Sequence, residues 1–285
     1  MEVTQHIIRS TQTEDDAILQ AIKAPCDLLL VFASPAFFSS SSLLTDIIAS
    51  GVPVAGCGTS GEITAGDVRE QSAVFTRIDL KGKGFARIAV SQVHEEDYFN
   101  CGKALGESLR GDDLKAVIIF TRGIDFVPGE MFDGLHHVLG TDLLICGGMA
   151  GDNASYVQTF TLSPQRISDH DVVAAGLYGD NLAVSQAVIG GWQSFGPIRQ
   201  VTRSENNILY ELDGTPALDI YKKYLGRSAS RLPISGLLFP LEMMDSYDEP
   251  SGLLRALYDV NETDGSLILG GKIEQGAYLR LMHAS

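Results

Sequence analysis

The sequence predicts a mixed α/β fold. It reads as two pseudo-repeats, each ordered strand, helix, strand, Gly turn and hairpin. They form mixed sheets covered by helices, and a C-terminal module follows. Three observations carry this expectation. Residues 52–62 (Val-Pro-Val-Ala-Gly-Cys-Gly-Thr-Ser-Gly-Glu) and 142–153 (Asp-Leu-Leu-Ile-Cys-Gly-Gly-Met-Ala-Gly-Asp-Asn) each run an apolar stretch into a Gly-rich, acid-bearing turn. Gly58, Gly61 and Glu62 align with Gly148, Gly151 and Asp152 at a single offset. The apolar runs 27–33 and 115–121 precede these turns in matching order, each followed by a loop and a helix-like segment. Two visible copies suggest a pseudo-symmetric domain rather than a solenoid.

The first repeat spans about 24–111. Ahead of it, residues 3–8 read as extended. Thr13 is placed to cap a helix with Glu14, Asp15 and Asp16 in its first turn, where the helix dipole favours acids. Ala17, Ile18, Ala21 and Ile22 give that helix its apolar stripe, and Pro25 stops it. Residues 28–33 are continuously apolar, as in a strand covered on both faces. Leu43, Leu44, Ile47 and Ile48 share one helical face, and Gly51 closes the helix. Residues 72–80 and 85–90 alternate like strands and flank Lys81-Gly82-Lys83-Gly84, so they read as a hairpin. Phe99, Leu105 and Leu109 mark a helix ending near Gly111.

The second repeat spans about 112–190. Its strand is 116–121, and its helix is 128–139 with Met131, Phe132, Leu135, Val138 and Leu139 inward. A strand at 143–146 enters the second Gly turn, and 157–162, 172–178 and 182–189 read as further strands. Composition changes after Trp192, and 193–197 reads as a Gly/Pro connector, so the expected division is 1–196 and 197–285. Beyond it lie a strand at 209–212 and the best-marked helix, 215–226. That helix has Thr215 at its cap, Pro216 in the first turn, Lys222 and Lys223 late and Gly226 past its end. An apolar run to Pro240, an acidic loop at 244–249 and strands at 266–269 and 277–282 complete the reading.

The chain has 285 residues, enough for one large or two ordinary domains at roughly 100–200 residues each. Its formal net charge is −15, and its longest basic run is Lys222-Lys223. Phosphate-backbone binding needs a basic face, so nucleic acid and anionic membranes are not expected partners. No apolar segment reaches the ~18 residues of a membrane span. The N-terminus lacks the basic-then-apolar pattern of a signal peptide. Cys26, Cys57, Cys101 and Cys146 lie far apart with no metal-ligand spacing. Reduced thiols and a cytoplasmic location are expected.

Gly turns at strand ends let the backbone approach a ligand and aim N–H groups at an anion. Thr59, Ser60, Gly61, Gly148, Ala150, Gly151 and Asn153 are the candidate contacts. Glu62 and Asp152 are placed to hold an ammonium, Arg122 to pair with a carboxylate, and Trp192 to stack. The competing reading is structural: tight turns with capping acids. A nucleophile reading needs Cys57, Ser60 or Ser34 beside a base from His94, His136, His137 or His170. The Gly58-Thr59-Ser60-Gly61 turn is one residue short of a nucleophile elbow. Adjacent helix positions point about 100° apart, so His136 and His137 do not suit one metal. No catalytic residue, metal or cofactor is expected.

The two turns, Trp192 and the 210–221 stretch (Tyr-Glu-Leu-Asp-Gly-Thr-Pro-Ala-Leu-Asp-Ile-Tyr) together resemble the FIST domain family, intracellular sensory modules of bacteria and eukaryotes. The resemblance implies a FIST N-terminal-like sensory domain over 1–196 and the start of the C-terminal half. That half usually runs further than Ser285, so the module is expected to be partial. Some relatives resemble haem-binding nitric-oxide sensors with an axial histidine. The residue before Gly191-Trp192 is often His in that pattern; here it is Gly190, which removes the obvious haem ligand. The resemblance also implies an amino-acid-like ligand. The expected function is therefore a cytoplasmic, bacterial-type module that senses a small zwitterion or carboxylate. It would signal to a separately encoded histidine kinase, cyclic-dinucleotide enzyme or chemotaxis protein. A hydrolase or transferase using Cys57 or Ser60, and a haem sensor, are the alternatives.

Overall fold

The computed structural model describes residues 1–9, 16–40, 42–64, 66–126, 128–187 and 191–284. The expected cap at Thr13, and Gly190, lie outside them. The chain forms two compact units, Met1–Ala187 and Val188–Ser285.

The first unit runs β1 (Glu2–Arg9), α1 (Asp16–Lys23), β2 (Leu28–Ala33), α2 (Pro35–Ser40), α3 (Ser42–Ser50), β3 (Val54–Gly58), β4 (Glu62–Thr64), β5 (Asp67–Arg69) and β6 (Ser72–Asp79). It continues through β7 (Phe85–Gln92), α4 (Tyr98–Leu109), β8 (Leu114–Thr121), α5 (Pro128–Leu139), β9 (Leu144–Met149), β10 (Thr161–Leu162), β11 (Ile167–Ser168) and β12 (Asp171–Tyr178). One sheet has the order β1-β6-β2-β3-β10-β11, the other β7-β12-β8-β9, and β4–β5 is a separate small hairpin. Within the two larger sheets only β2/β3 and β8/β9 pair in parallel. Each parallel pair is joined by a helical crossover, as parallel strands require.

Three apolar clusters stack these elements into helix, sheet, sheet and helix layers. Ile22, Phe37, Leu44 and Ile47 pack on one face of the first sheet through Leu29, Val31 and Phe75. Leu28, Ala55, Cys57, Phe120, Val173 and Ala175 fill the space between the sheets. Leu105, Leu109, Met131 and Leu135 cover the second sheet at Val117, Ile119 and Val172. The β2 and β8 runs are apolar on both faces because both faces are covered.

The expected hairpin of residues 72–80 and 85–90 does not form. Both edges of β6 are taken, by β1 and by β2, so no edge remains for β7. The 81–84 loop instead carries the chain from one sheet to the other, where β7 pairs with β12. The strand expected at 157–162 shortens to Thr161–Leu162, because 152–158 is held as a loop. Residues 182–187 are mostly exposed and form no strand; the rest of that expected strand lies outside the described residues.

The second unit runs β13 (Trp192–Glu205), β14 (Ile208–Leu212), β15 (Thr215–Pro216), α6 (Ala217–Leu225), two 3₁₀ turns, then β16 (Leu241–Ser246), β17 (Glu249–Arg255), β18 (Leu257–Asn261), β19 (Ser266–Leu269) and β20 (Tyr278–Ala284). Its antiparallel sheet has the order β17-β16-β20-β13-β14-β19-β18. Leu218, Tyr221 and Leu225 of α6 pack on Val201, Leu241, Leu267 and Leu279. Three local expectations change here. Residues 193–197 lie inside β13, where the Gly196-Pro197 step falls in a register shift. Thr215 pairs with β14 rather than capping α6, whose N-cap is Pro216 without a side-chain bond. Residues 244–249 belong to the turn and ends of β16 and β17.

Helices α4 and α5 approach through glycines. A Cβ on Gly102 would stand 1.8 Å from the Met131 carbonyl oxygen, and one on Gly134 2.0 Å from that of Phe99. Gly102→Ala or Gly134→Ala is therefore expected to cost ~1–3 kcal/mol through overpacking. Gly129→Ala, facing open space in α5, is expected to leave the urea midpoint unchanged or raised. Equilibrium unfolding of the three variants checks the contrast.

Candidate functional site

Strands β2, β3, β8 and β9 deliver their carboxyl ends to one edge of the first unit, and the two Gly turns meet there. The Gly151 N–H donates to the Gly58 carbonyl at 2.8 Å, and the Asn153 N–H donates to Ser60 Oγ at 2.9 Å. The approach is tight at Gly151, where a Cβ would lie 2.6 Å from Ser60 Oγ and 3.1 Å from the Ser60 nitrogen. Gly58 also donates to the Phe160 carbonyl, which docks β10 beside β3.

The two aligned acids are both buried, and both take internal hydrogen bonds. Glu62 accepts from Thr59 Oγ1 at 2.8 Å, from Ser72 Oγ at 2.7 Å and from the Ser72 N–H at 3.2 Å. It ties the first turn to the start of β6. Asp152 accepts from the Val157 N–H at 2.8 Å and the Gln158 N–H at 3.4 Å. It winds a loop in which Asn153, Ala154 and Tyr156 all take left-handed backbone conformations. That conformation costs an L-residue roughly 1–2 kcal/mol, so Asp152 offsets local strain.

Arg122 follows β8. Its guanidinium donates to the Asp125 carbonyl at 2.7 Å and lies 3.5 Å from His170 Nδ1. The neighbouring Gly123 N–H donates to Thr159 Oγ1. Asp169, held by Gln158 at 2.7 Å, completes this group, and that hydrogen bond holds its carboxyl below the usual range. Gly148 is exposed at the end of β9, Ala150 is buried and Gly61 is half-buried. The structure thus brings Thr59, Ser60, Gly61, Glu62, Gly151, Asp152 and Asn153 together, with Arg122 on the adjoining loop. Trp192 belongs to the second unit, where it opens β13 opposite Ala284.

Sequence reading missed Ser72, which ties the first turn through Glu62, and Thr159, which holds the Arg122-Gly123 loop, and it assigned Ser34 only a nucleophile's part. Ser34 lies just past β2 and is buried, with its N–H bonded to the Ser72 carbonyl. A serine opening a strand ten residues past an acid is too common a pattern to single out.

The nucleophile candidates fare differently. Cys57 packs between the sheets, and burial pushes its thiol up to about 12. A nucleophilic cysteine needs the opposite shift. Among the histidines, His136 faces the Gly140 carbonyl at the end of α5, and His137 lies against Phe99. His94 lines a separate groove beside α4 with Asp97 and Asn100. Among the described residues no group of three His, Cys, Asp or Glu is placed to hold a metal. No described helix is long and apolar enough to cross a membrane.

A four-layer α/β unit whose paired Gly turns meet at the strand ends, followed by an antiparallel sheet carrying one helix, defines the class of this protein. A FIST N domain model matches residues 27–215 and a FIST C domain model residues 217–285. The chain belongs to the FIST domain family, which is associated with signal transduction and sensing. It is also similar to an uncharacterized protein of Methanocaldococcus jannaschii, 25% identical over 257 residues. That match covers 80% of this chain and 48% of the archaeal protein, so the chain spans about half of its relative's length.

Two outcomes test this account. Glu62→Ala strands the two buried donors of Ser72 and the half-buried Thr59 hydroxyl, and is expected to cost ~1–3 kcal/mol in unfolding free energy. Asp152→Ala, whose partners sit on an exposed loop, is expected to raise amide exchange at Val157 and Gln158 with a smaller change in the midpoint.

A pH dependence follows from Asp171, which opens β12. Burial alone would raise its carboxyl. The two Arg166 bonds at 2.8 Å and the Gln92 bond at 2.6 Å prevail, so the carboxyl lies below the usual range. A depressed folded value stabilises above the ordinary carboxylate range and is lost as pH falls through it. Arg166→Gln is expected to lower the denaturation midpoint at pH 7, with the gap to wild type closing as pH falls below about 4.

Proposed function

We propose that the chain is a small-molecule sensing module, and that the junction of the two Gly turns binds an amino acid or a similar small zwitterion or carboxylate. The observation that carries this is the direct contact of the turns, Gly151 to Gly58 and Asn153 to Ser60, at the carboxyl ends of two parallel strand pairs. Ligands of open α/β sheets characteristically bind outside those ends. Ser60, Asn153 and Gly148 are exposed there, and Arg122 supplies a fork suited to a carboxylate.

The buried setting of Cys57, whose thiol is pushed up by burial, supports binding without turnover. In this reading, ligand capture alters the Gly151–Gly58 contact. A separate partner, such as a histidine kinase, a cyclic-dinucleotide enzyme or a chemotaxis protein, reads the change.

Thermal-shift screening over amino acids and small carboxylates is the direct test. A ligand of the folded state at ~100 times its dissociation constant adds about 2.7 kcal/mol. Arg122→Gln is expected to weaken such binding by ~1.5–3 kcal/mol, the loss of a charge-assisted hydrogen bond. A panel without a single shift, together with selective labelling of Cys57 by an electrophile, would favour the hydrolase or transferase instead.

A further inference from the structure

We propose that Ser34, Thr59, Ser72 and Glu62 form a buried pole of the site that receives a primary ammonium group. This rests on the reading of the Gly-turn junction as a ligand site and deepens it, by assigning the cationic end of a zwitterion to the first turn alone.

The argument starts from an incomplete polar network. Strands β3, β2 and β6 are neighbours in that order. Each places a small hydroxyl residue at the same end: Thr59 just past β3, Ser34 just past β2 and Ser72 at the start of β6. Backbone bonds hold them side by side, from the Thr59 N–H to the Ala33 carbonyl at 2.9 Å and from the Ser34 N–H to the Ser72 carbonyl at 2.9 Å. The Glu62 carboxylate bridges the two outer members, with one oxygen on Thr59 and the other on Ser72. The middle member is left over. Ser34 is only 2% exposed, and among the described residues its Oγ has no hydrogen-bond partner.

A buried hydroxyl without a partner is uncommon and calls for an explanation. The carboxylate beside it has a related deficit. Glu62 is 1% exposed, and the three hydrogen bonds it receives come from neutral donors, Thr59 and Ser72. Burying a carboxylate is costly unless a cation compensates it. Both deficits name the same complement, a compact group with positive charge and several N–H donors.

An ammonium fits this description. It has three donors and no acceptor. A carboxylate has about four acceptor positions, and three of those on Glu62 are filled. The fourth, the Ser34 Oγ and the Thr59 Oγ1, whose own proton goes to Glu62, make three acceptors for three N–H groups. Thr59 is half-buried and Ser60 beside it is exposed, so the pole lies directly behind the outer surface of the junction. The carboxylate end of the same ligand then points out toward Asn153 and Arg122. Asp152 takes no part, since it holds the 152–158 loop.

Matched pairs that differ only in the amino group test the proposal: L-alanine with propionate, L-leucine with 4-methylpentanoate, and L-glutamate with glutarate. Titration calorimetry on the full chain reads each pair in wild type and in Ser34→Ala. The expected result is that at least one amino acid binds about tenfold or more tighter than its partner, the worth of one charge-assisted hydrogen bond. Ser34→Ala is expected to erase most of that difference while leaving the des-amino member unchanged. Its unliganded melting temperature is expected to stay level or rise, because the removed hydroxyl had no partner.

Equal binding of both members of every responding pair would overturn the ammonium pole and leave the junction as a carboxylate site. A Ser34→Ala protein that melts several degrees lower without ligand would show that Ser34 holds a trapped water only, and would overturn it too. If no member of any pair binds, the ligand reading of the junction falls and the pole falls with it.

Discussion

The hydrogen bond from the Gly151 N–H to the Gly58 carbonyl is the constraint on which the first unit's functional edge depends. The two sheets face each other mainly through Leu28, Cys57, Phe120, Val173 and their neighbours, and apolar contact of that kind has no direction. A short backbone bond does. It fixes one turn against the other, and Ser60 Oγ repeats the tie by accepting from Asn153. A Cβ at Gly151 would stand 3.1 Å from the Ser60 nitrogen and 2.6 Å from its Oγ, so glycine eases the close approach of the two turns.

Around that tie, the polar side chains divide into those that build the edge and those it presents. Glu62 and Asp152 look equivalent in sequence but serve different segments. Glu62 joins the first turn to β6, and Asp152 winds the loop that leads toward β10. Both accept from neutral donors, and each ties segments of the edge together. Ser60, Asn153 and Gly148 are exposed and Arg122 is half-buried on the adjoining loop; these are the groups the edge presents to an outside partner. Such a distribution, with rigid buried anchors beneath an adaptable polar rim, is what positions a binding surface on a fold.

Most elements of the fold were legible because burial leaves a pattern. A continuous apolar run marked β2 as a doubly covered strand, and a second apolar run marked β8 as a strand. The apolar faces of 43–48 and 131–139 marked α3 and α5, and Gly58, Gly61, Gly148 and Gly151 marked the turns. The failures share one cause. Residues 72–80 and 85–90 have a hairpin's local signature, yet β6 is an interior strand whose two edges are already occupied. Residues 157–160 have strand-like composition, but the Asp152 carboxylate competes successfully for the backbone N–H groups at its start. The Gly196-Pro197 step looks like a linker, and the β13–β20 pairing absorbs it as an irregularity.

By itself the sequence determined the fold class, the family and the two glycine turns, since all three rest on residue types and their order along the chain. Tertiary structure decided which strands pair, that the two turns touch, and that Cys57 packs between the two sheets. It also decided that Ser34 and Ser72, unremarkable in one dimension, stand on either side of the β2–β6 ladder beside Glu62. The reason is physical. Periodicity records whether a residue faces apolar surroundings, whereas hydrogen-bond partners and unsatisfied polar atoms are set by distances between segments far apart in the chain.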